Sequence, residues 1–292
     1  MSKHFYSENE ELNFAESLNK YEFLFKDIKL KPPTLEEALI ELFRNGGLSE
    51  KDSKEIYNHL YKMCNNKVGK NWDLIREQNP RISKNDALVI SSYTYEPQKM
   101  YEKFSPYRLL NTNLVAENRK SGIINIEKYL FLLLAALRGL TKTKKEYLFR
   151  CISCKVKLEK DPNNNKYIPY KQGNQKIFWP FTSTSDDEKL SENFLGNGTG
   201  TKYKIIGDNL WGYDITLFNV YGEKEILLEP ERKYEITNVK EGNIIEITCK
   251  VVDNPQILEI CEYIYKLVVS ILFFIYQCRV KYINNILEMR IY

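Results

Sequence analysis

The chain has 292 residues, 43% of them hydrophobic and 13% aromatic, enough for one large or two modest domains around a buried core. Its 43 Lys and Arg stand against 39 Asp and Glu, and a formal charge of +4 is too small and too dispersed to call for a nucleic-acid partner. With two histidines, His4 and His59, neither a His-dependent triad nor a multi-His metal centre is expected.

In chain order, the stretch from Met1 to Asn13 carries Lys3, His4, Glu8, Glu10 and Glu11 with no apolar run, so no secretory signal peptide is expected and a cytoplasmic location is the reading. Residues 1–84 form a helical amino-terminal region. Thr34 and Glu37 stand in capping-box relation ahead of Leu35, Ala38, Leu39 and Leu42, and Gly46-Gly47 closes that helix. A second helix is predicted to open at Ser49 or Asp52, run through Ile56, Leu60, Tyr61 and Met63, and stop in the polar stretch Asn65-Asn66-Lys67. Six cysteines (Cys64, Cys151, Cys154, Cys249, Cys261, Cys278) are sparse for a disulfide scaffold and read as reduced thiols; no second pair completes a zinc set with Cys151-x-x-Cys154.

From residue 85 the pattern strengthens. Asp86–Tyr95 reads as a helix with aromatic residues on one side, Tyr107-Arg108-Leu-Leu-Asn111 follows Pro106, and Ile126–Leu140 is a strongly apolar helix ended at Gly139. Glu146–Val156 alternates as a strand, with Leu148, Arg150 and Ile152 on one face. A guanidinium in so apolar a strand must reach solvent or meet an anion. Asp161–Asn165 reads as a turn, and Asp186–Asn193 as a short helix capped by Ser185 or Asp186. Gly196–Gly200 lacks the Lys-Ser/Thr of a phosphate loop and reads as a hinge. Tyr203–Gly207, Gly212–Phe218, Lys224–Leu228, Lys233–Val239 and Asn243–Val251 follow as short strands of an antiparallel region. Residues 253–292 form an apolar helical tail, whose uninterrupted stretch Leu267–Cys278 is short against the ~20 residues of a membrane span; a buried or interfacial helix is expected rather than an anchor.

Two carboxylates, Glu223 and Glu225, stand one residue apart before Ile226-Leu-Leu228. As a strand, that stretch sends both to one face, where like charges raise a pKa and suit the handling of a cation. Upstream lie Arg150 and then Ser183-Thr184-Ser185, with Glu225 42 positions and Phe194 11 positions after Ser183. In this order the three pieces resemble the arginine-specific mono-ADP-ribosyltransferases of the R-S-E class, which include vertebrate ecto-enzymes and binary actin-modifying toxins. The resemblance spans about Asp86 to Thr248 and includes the helices with Tyr93-Thr94, Tyr107-Arg108 and the Leu-rich run.

The resemblance implies an α+β fold in which helices precede two packed antiparallel sheets with an NAD cleft between residues 85 and 252. NAD would be the co-substrate, with no metal, and the partner a protein with an accessible arginine. Glu225 would stabilise the positive charge that develops on the ribose and accept from a ribose hydroxyl, and Ser183 would hold it in place. Arg150 would meet the diphosphate. Cys151, where the family often has Gly, would offer its backbone to the carboxamide, and Phe194 would stack on nicotinamide. Glu223 would orient the acceptor guanidinium and assist its proton loss, and Tyr221 would receive it by stacking. An NAD glycohydrolase using the same site, a catalytically silent binding module and a membrane-associated interaction protein remain as alternatives.

Overall fold

Reciprocal capping starts the helical part where its sequence implies. In the computed structural model, which describes residues 32–115, 119–159 and 169–252, the Thr34 hydroxyl accepts from the Glu37 N–H and the Glu37 carboxylate accepts from the Thr34 N–H, opening α1, Leu35–Asn45. The described residues all fall within one unit of the chain, Met1–Pro255. The residues before Pro32, the expected turn at Asp161–Asn165 and the apolar tail with Leu267–Cys278 lie outside them.

Helix α2, Glu50–Gln78, is capped by Ser49 and does not stop at Asn65-Asn66-Lys67. Ser53, Ile56, Leu60, Cys64, Val68 and Ile75 keep one buried stripe across that polar stretch, so packing overrides weak local propensity. The end comes at Asn79, ahead of Pro80. A second capping box, Ser83 with Asp86, opens α3, Lys84–Tyr93. After a 3-10 segment, Lys99–Phe104, Pro106 occupies the first turn of α4, Pro106–Leu114. The Leu-rich helix α5, Arg119–Arg138, begins earlier than its apolar pattern suggested. Its Tyr129, Leu130, Leu133, Leu134 and Leu137 are buried against α1, α3 and α4. Among the described residues no helix is long and apolar enough to cross a membrane.

The strands form two sheets. One runs in the order β1 (Lys142–Lys144), β6 (Trp211–Asp214), β7 (Ile226–Leu228), β4 (Thr182–Thr184). The other runs β2 (Tyr147–Ile152), β5 (Gly200–Ile206), β9 (Ile244–Val251), β8 (Arg232–Lys240), β3 (Gln175–Phe178). All pairings are antiparallel except β5 with β9, which are parallel. Two of the expected strands are shorter than their composition implied: β6 ends at Asp214, whose carboxylate turns back to the Thr216 N–H, and β7 starts only at Ile226.

Leu148, Ile152, Tyr203, Ile205, Ile226, Leu228, Tyr234, Ile236, Ile245 and Ile247 make a single apolar cluster drawn from both sheets. The sheets also touch through their backbones, since Phe149 N donates to Ser185 O at 2.8 Å and Ser185 N donates to Phe149 O at 2.9 Å. That bridge sets β2 beside β4 and so fixes Arg150 next to Ser183.

The glycine-rich stretch is a tight reversal, not a hinge. Asn197 (φ 49°) and Gly198 (φ 73°) form its two central residues, and Gly196 and Thr199 exchange backbone hydrogen bonds. Gly200 follows at φ +137°, and a Cβ there would stand 2.2 Å from the Ile152 carbonyl oxygen. Gly200→Ala is therefore expected to cost about 2 kcal/mol or more, through forbidden backbone geometry plus displacement of β2. Urea unfolding checks this, and an unchanged midpoint contradicts it.

Candidate active site

The acidic stretch is shaped by Asn219. This residue is 2% exposed, and its side-chain oxygen accepts from the Tyr221 and Glu223 N–H groups at 3.0 and 3.2 Å. Its Nδ2 donates to Glu225 Oε2 at 3.1 Å. Gly222 at φ +75° then allows the chain to turn without a Cβ penalty. Three ties bind this loop to the end of α3: Ser91 Oγ donates to Phe218 O, Val220 N to Thr94 Oγ1, and Tyr221 Oη both donates to Glu96 O and accepts from Glu96 N.

Glu223 and Glu225 do not share a strand face, because both precede β7 in the loop. Glu225 is 8% exposed. Its Oε1 accepts from Ser183 Oγ at 2.5 Å, and its backbone N–H is held by Thr216 Oγ1. Lys224, between the acids, turns away to Asp186 at 2.6 Å, and Lys145 meets the same carboxylate at 2.7 Å. The three charges fix the loop against the segment after β4. Glu223 stays at the exposed rim.

Burial raises the proton affinity of both acids. For Glu225 the Ser183 and Asn219 donors work against that rise, whereas nearby Glu223 adds to it. For Glu223 the like charge that adds to burial is Glu96, from the helical side, not its sequence neighbour Glu225. The expected like-charge effect raises one of the pair, Glu225, while desolvation leads in both.

Arg150, 6% exposed, lies on the inner face of β2, where its Nη1 donates to Ser183 O at 2.8 Å. Burial lowers its pKa, and the neighbouring tyrosines and Glu225 oppose that shift. Cys151 faces the other way and is buried, its thiol pushed up to about 12 by desolvation; neither it nor Cys154 is in a disulfide among the described residues. Phe194, half-buried, follows the short helix α6, Glu188–Glu192, whose cap is Asp187, one residue later than expected.

Arg150, Cys151, Ser183, Phe194, Glu223 and Glu225 line one open cleft of about 300 Å³, in the size range of small-molecule sites. Tyr221 lines an adjoining cavity of about 280 Å³, which shares Ser183, Phe194, Glu223 and Glu225 with the first. All seven residues singled out in the sequence therefore surround one two-chambered depression. Two further residues were given no role there: Asn219, whose signal is the Asn-x-x-Gly spacing of a side-chain-supported turn, and Glu96, which no local pattern marks.

No family model matches the chain, and no curated protein matches its sequence. Solved structures do match its fold. The eukaryotic mono-ADP-ribosyltransferase ART2.2, crystallised with NAD as a glutamate-to-isoleucine variant, matches with a TM-score of 0.52 at 16% identity, over 85% of this chain and 95% of its own. The chain has the ADP-ribosyltransferase fold. The type III effector XopAI from Xanthomonas axonopodis pv. citri matches it as well, with a TM-score of 0.51 at 14% identity, over 83% of this chain and 95% of that one. In this ADP-ribosyltransferase fold the two chambers open where β2, β4 and the loop before β7 converge, with the end of α3 forming the far wall.

Proposed function

We propose that the protein moves one ADP-ribose unit from NAD to an arginine of a protein substrate and releases nicotinamide. The observation that carries this reading is the hydrogen bond from Ser183 to a buried Glu225, set in a cleft that Arg150, Phe194 and Glu223 also line. The residues suit NAD as substrate. Arg150 supplies a fixed fork for the diphosphate, Phe194 a ring for nicotinamide, and the backbone at Cys151 a partner for the carboxamide. Glu225 faces the ribose and accepts from one of its hydroxyls.

When the bond between ribose C1′ and the nicotinamide nitrogen breaks, both electrons go to that nitrogen. Nicotinamide leaves neutral, and positive charge builds on the sugar. A carboxylate fixed against the ribose favours this state over the ground state, because the charge it opposes is not yet there in bound NAD. The acceptor Nη then bonds to C1′ and gives its proton to Glu223. A guanidinium is protonated at neutral pH, so transfer needs that base, and the raised proton affinity of Glu223 suits it to the task. Tyr221 offers a ring face to the incoming cation.

The test uses the full chain, NAD labelled in its adenylate half, and agmatine as the arginine analogue. Mass spectrometry is expected to find an ADP-ribosyl-agmatine adduct together with an equal amount of nicotinamide. Nicotinamide without adduct, at a rate agmatine does not change, identifies a glycohydrolase instead. Failure to bind or cleave NAD leaves a silent module of the same fold.

A further inference from the structure

The second chamber differs in chemistry from the first. Its walls hold the rings of Tyr93, Tyr107, Tyr221 and Phe194 and the carboxylates of Glu96, Glu223 and Glu225, and no lysine or arginine is among its lining residues. Glu223 stands between two like charges, Glu96 acting on it and it on Glu225, and a cation entering this aromatic-walled cavity relieves that repulsion. Glu96 is the acid contributed from the helical side. It is half-buried just after α3, and Tyr107 Oη donates to its Oε1 at 2.7 Å. The Tyr221 hydroxyl grips its backbone from the opposite wall, donating to Glu96 O at 2.7 Å and accepting from Glu96 N at 3.1 Å. Arg108, the neighbouring guanidinium, is turned elsewhere, with Nε donating to Tyr107 Oη at 2.8 Å and Nη2 to Glu102 Oε1 at 2.5 Å.

We infer that Glu96 is the residue that holds the acceptor: its carboxylate grips one edge of the incoming guanidinium while Glu223, on the opposite wall, takes the proton from the nitrogen that attacks. The inference rests on the transferase reading for the identity of the reaction, and on the second chamber alone for the binding of a guanidinium. The planar fork of five N–H groups can serve two carboxylates at once, leaving one Nη free to face ribose C1′. The two acids are suited to different tasks. Glu96 is fixed by a hydroxyl donor and by a clamped backbone, whereas Glu223 stands on the rim, its proton affinity raised by burial and by Glu96. Glu96 thereby both selects an arginine and sharpens the base. The groups facing Glu223 are Glu96 from the segment after α3, Glu225 and Tyr221 from its own loop.

The test compares wild type, Glu96→Gln and Tyr221→Phe, each as the full chain. Calorimetry is expected to show agmatine binding weakened about tenfold or more by Glu96→Gln, the scale of one lost charge-assisted hydrogen-bonded contact. Tyr221→Phe keeps the ring but frees the Glu96 backbone, and weakens binding by a smaller factor. In the transfer assay the Glu96→Gln loss falls on the agmatine KM more than on kcat. The acid limb of its pH profile moves to lower pH, because Glu223 loses a like-charged neighbour. Agmatine binding unchanged by Glu96→Gln, or an agmatine KM that stays in place, overturns the inference while leaving arginine transfer standing. Agmatine that binds in a Glu96-dependent way but never receives ADP-ribose supports the guanidinium site and overturns the transferase reading.

Discussion

Replacing Glu225 with Gln is expected to lower nicotinamide release by about a thousandfold or more, with or without an acceptor, because the charge opposing the developing ribose cation is gone. The same substitution is expected to leave the protein at least as stable at pH 7. Burial raises the Glu225 pKa above its ordinary 4.5, so the folded state holds the proton more tightly than the unfolded state. Such a group adds stability below the unfolded pKa and loses that contribution as pH rises through the folded value. At neutral pH the ionised carboxylate is therefore a net cost of the fold, carried for function. The amide of Gln is neutral and fills the same space. Its oxygen can take the Asn219 donor, and its N–H can give to the Ser183 oxygen that now donates to Glu225. Thermal unfolding of both proteins checks the sign: the variant's Tm equals or exceeds wild type at pH 7, and the gap closes toward pH 4, near the ordinary carboxyl value of 4.5. A variant that is inactive and also markedly less stable at pH 7 would mean that Glu225 holds the loop together, not the transition state.

How legible each feature is in the sequence depends on how local its signal is. Thr34 with Glu37 announced the first helix because capping is settled within one turn. Arg150 stood out because a charge breaks an apolar alternation, and its neighbour Ser183 followed from the order of the motifs. The length of α2 was not legible, since Asn65-Asn66-Lys67 is a stop only until Cys64 and Val68 find a core. Nor was the parallel pairing of β5 with β9, as the period of two is the same in parallel and antiparallel strands. The twin acids invited a shared strand face, but Asn219 and Gly222 turn the chain there and hand each carboxylate a different environment. Glu96 had no legible signal at all. A Glu-Pro after a helix is an ordinary boundary, and its place opposite Glu223 exists only once α3 is laid against the acidic loop.

That placement makes Glu223→Gln the sharpest test of how the two acids divide the work. Transfer to agmatine is expected to fall by at least about a hundredfold, the low end of what a positioned base supplies. Nicotinamide release into water is expected to fall by less than about tenfold, because breaking the glycosidic bond relies on Glu225 and water attacks the ribose cation through a free lone pair and loses its proton afterwards, whereas a guanidinium must give up a proton to become a nucleophile. The pH dependence separates the same roles. In wild type the acid limb of transfer should lie above the ordinary carboxylate range, since burial and Glu96 both favour the protonated form of Glu223, and activity is lost as pH falls through that raised value. In the variant the residual hydrolysis should keep only the acid limb set by Glu225, which burial also raises. Equal losses of transfer and hydrolysis would place the proton-accepting step on another group. A selective loss of transfer assigns the deprotonation to the rim carboxylate and leaves bond cleavage to the buried one.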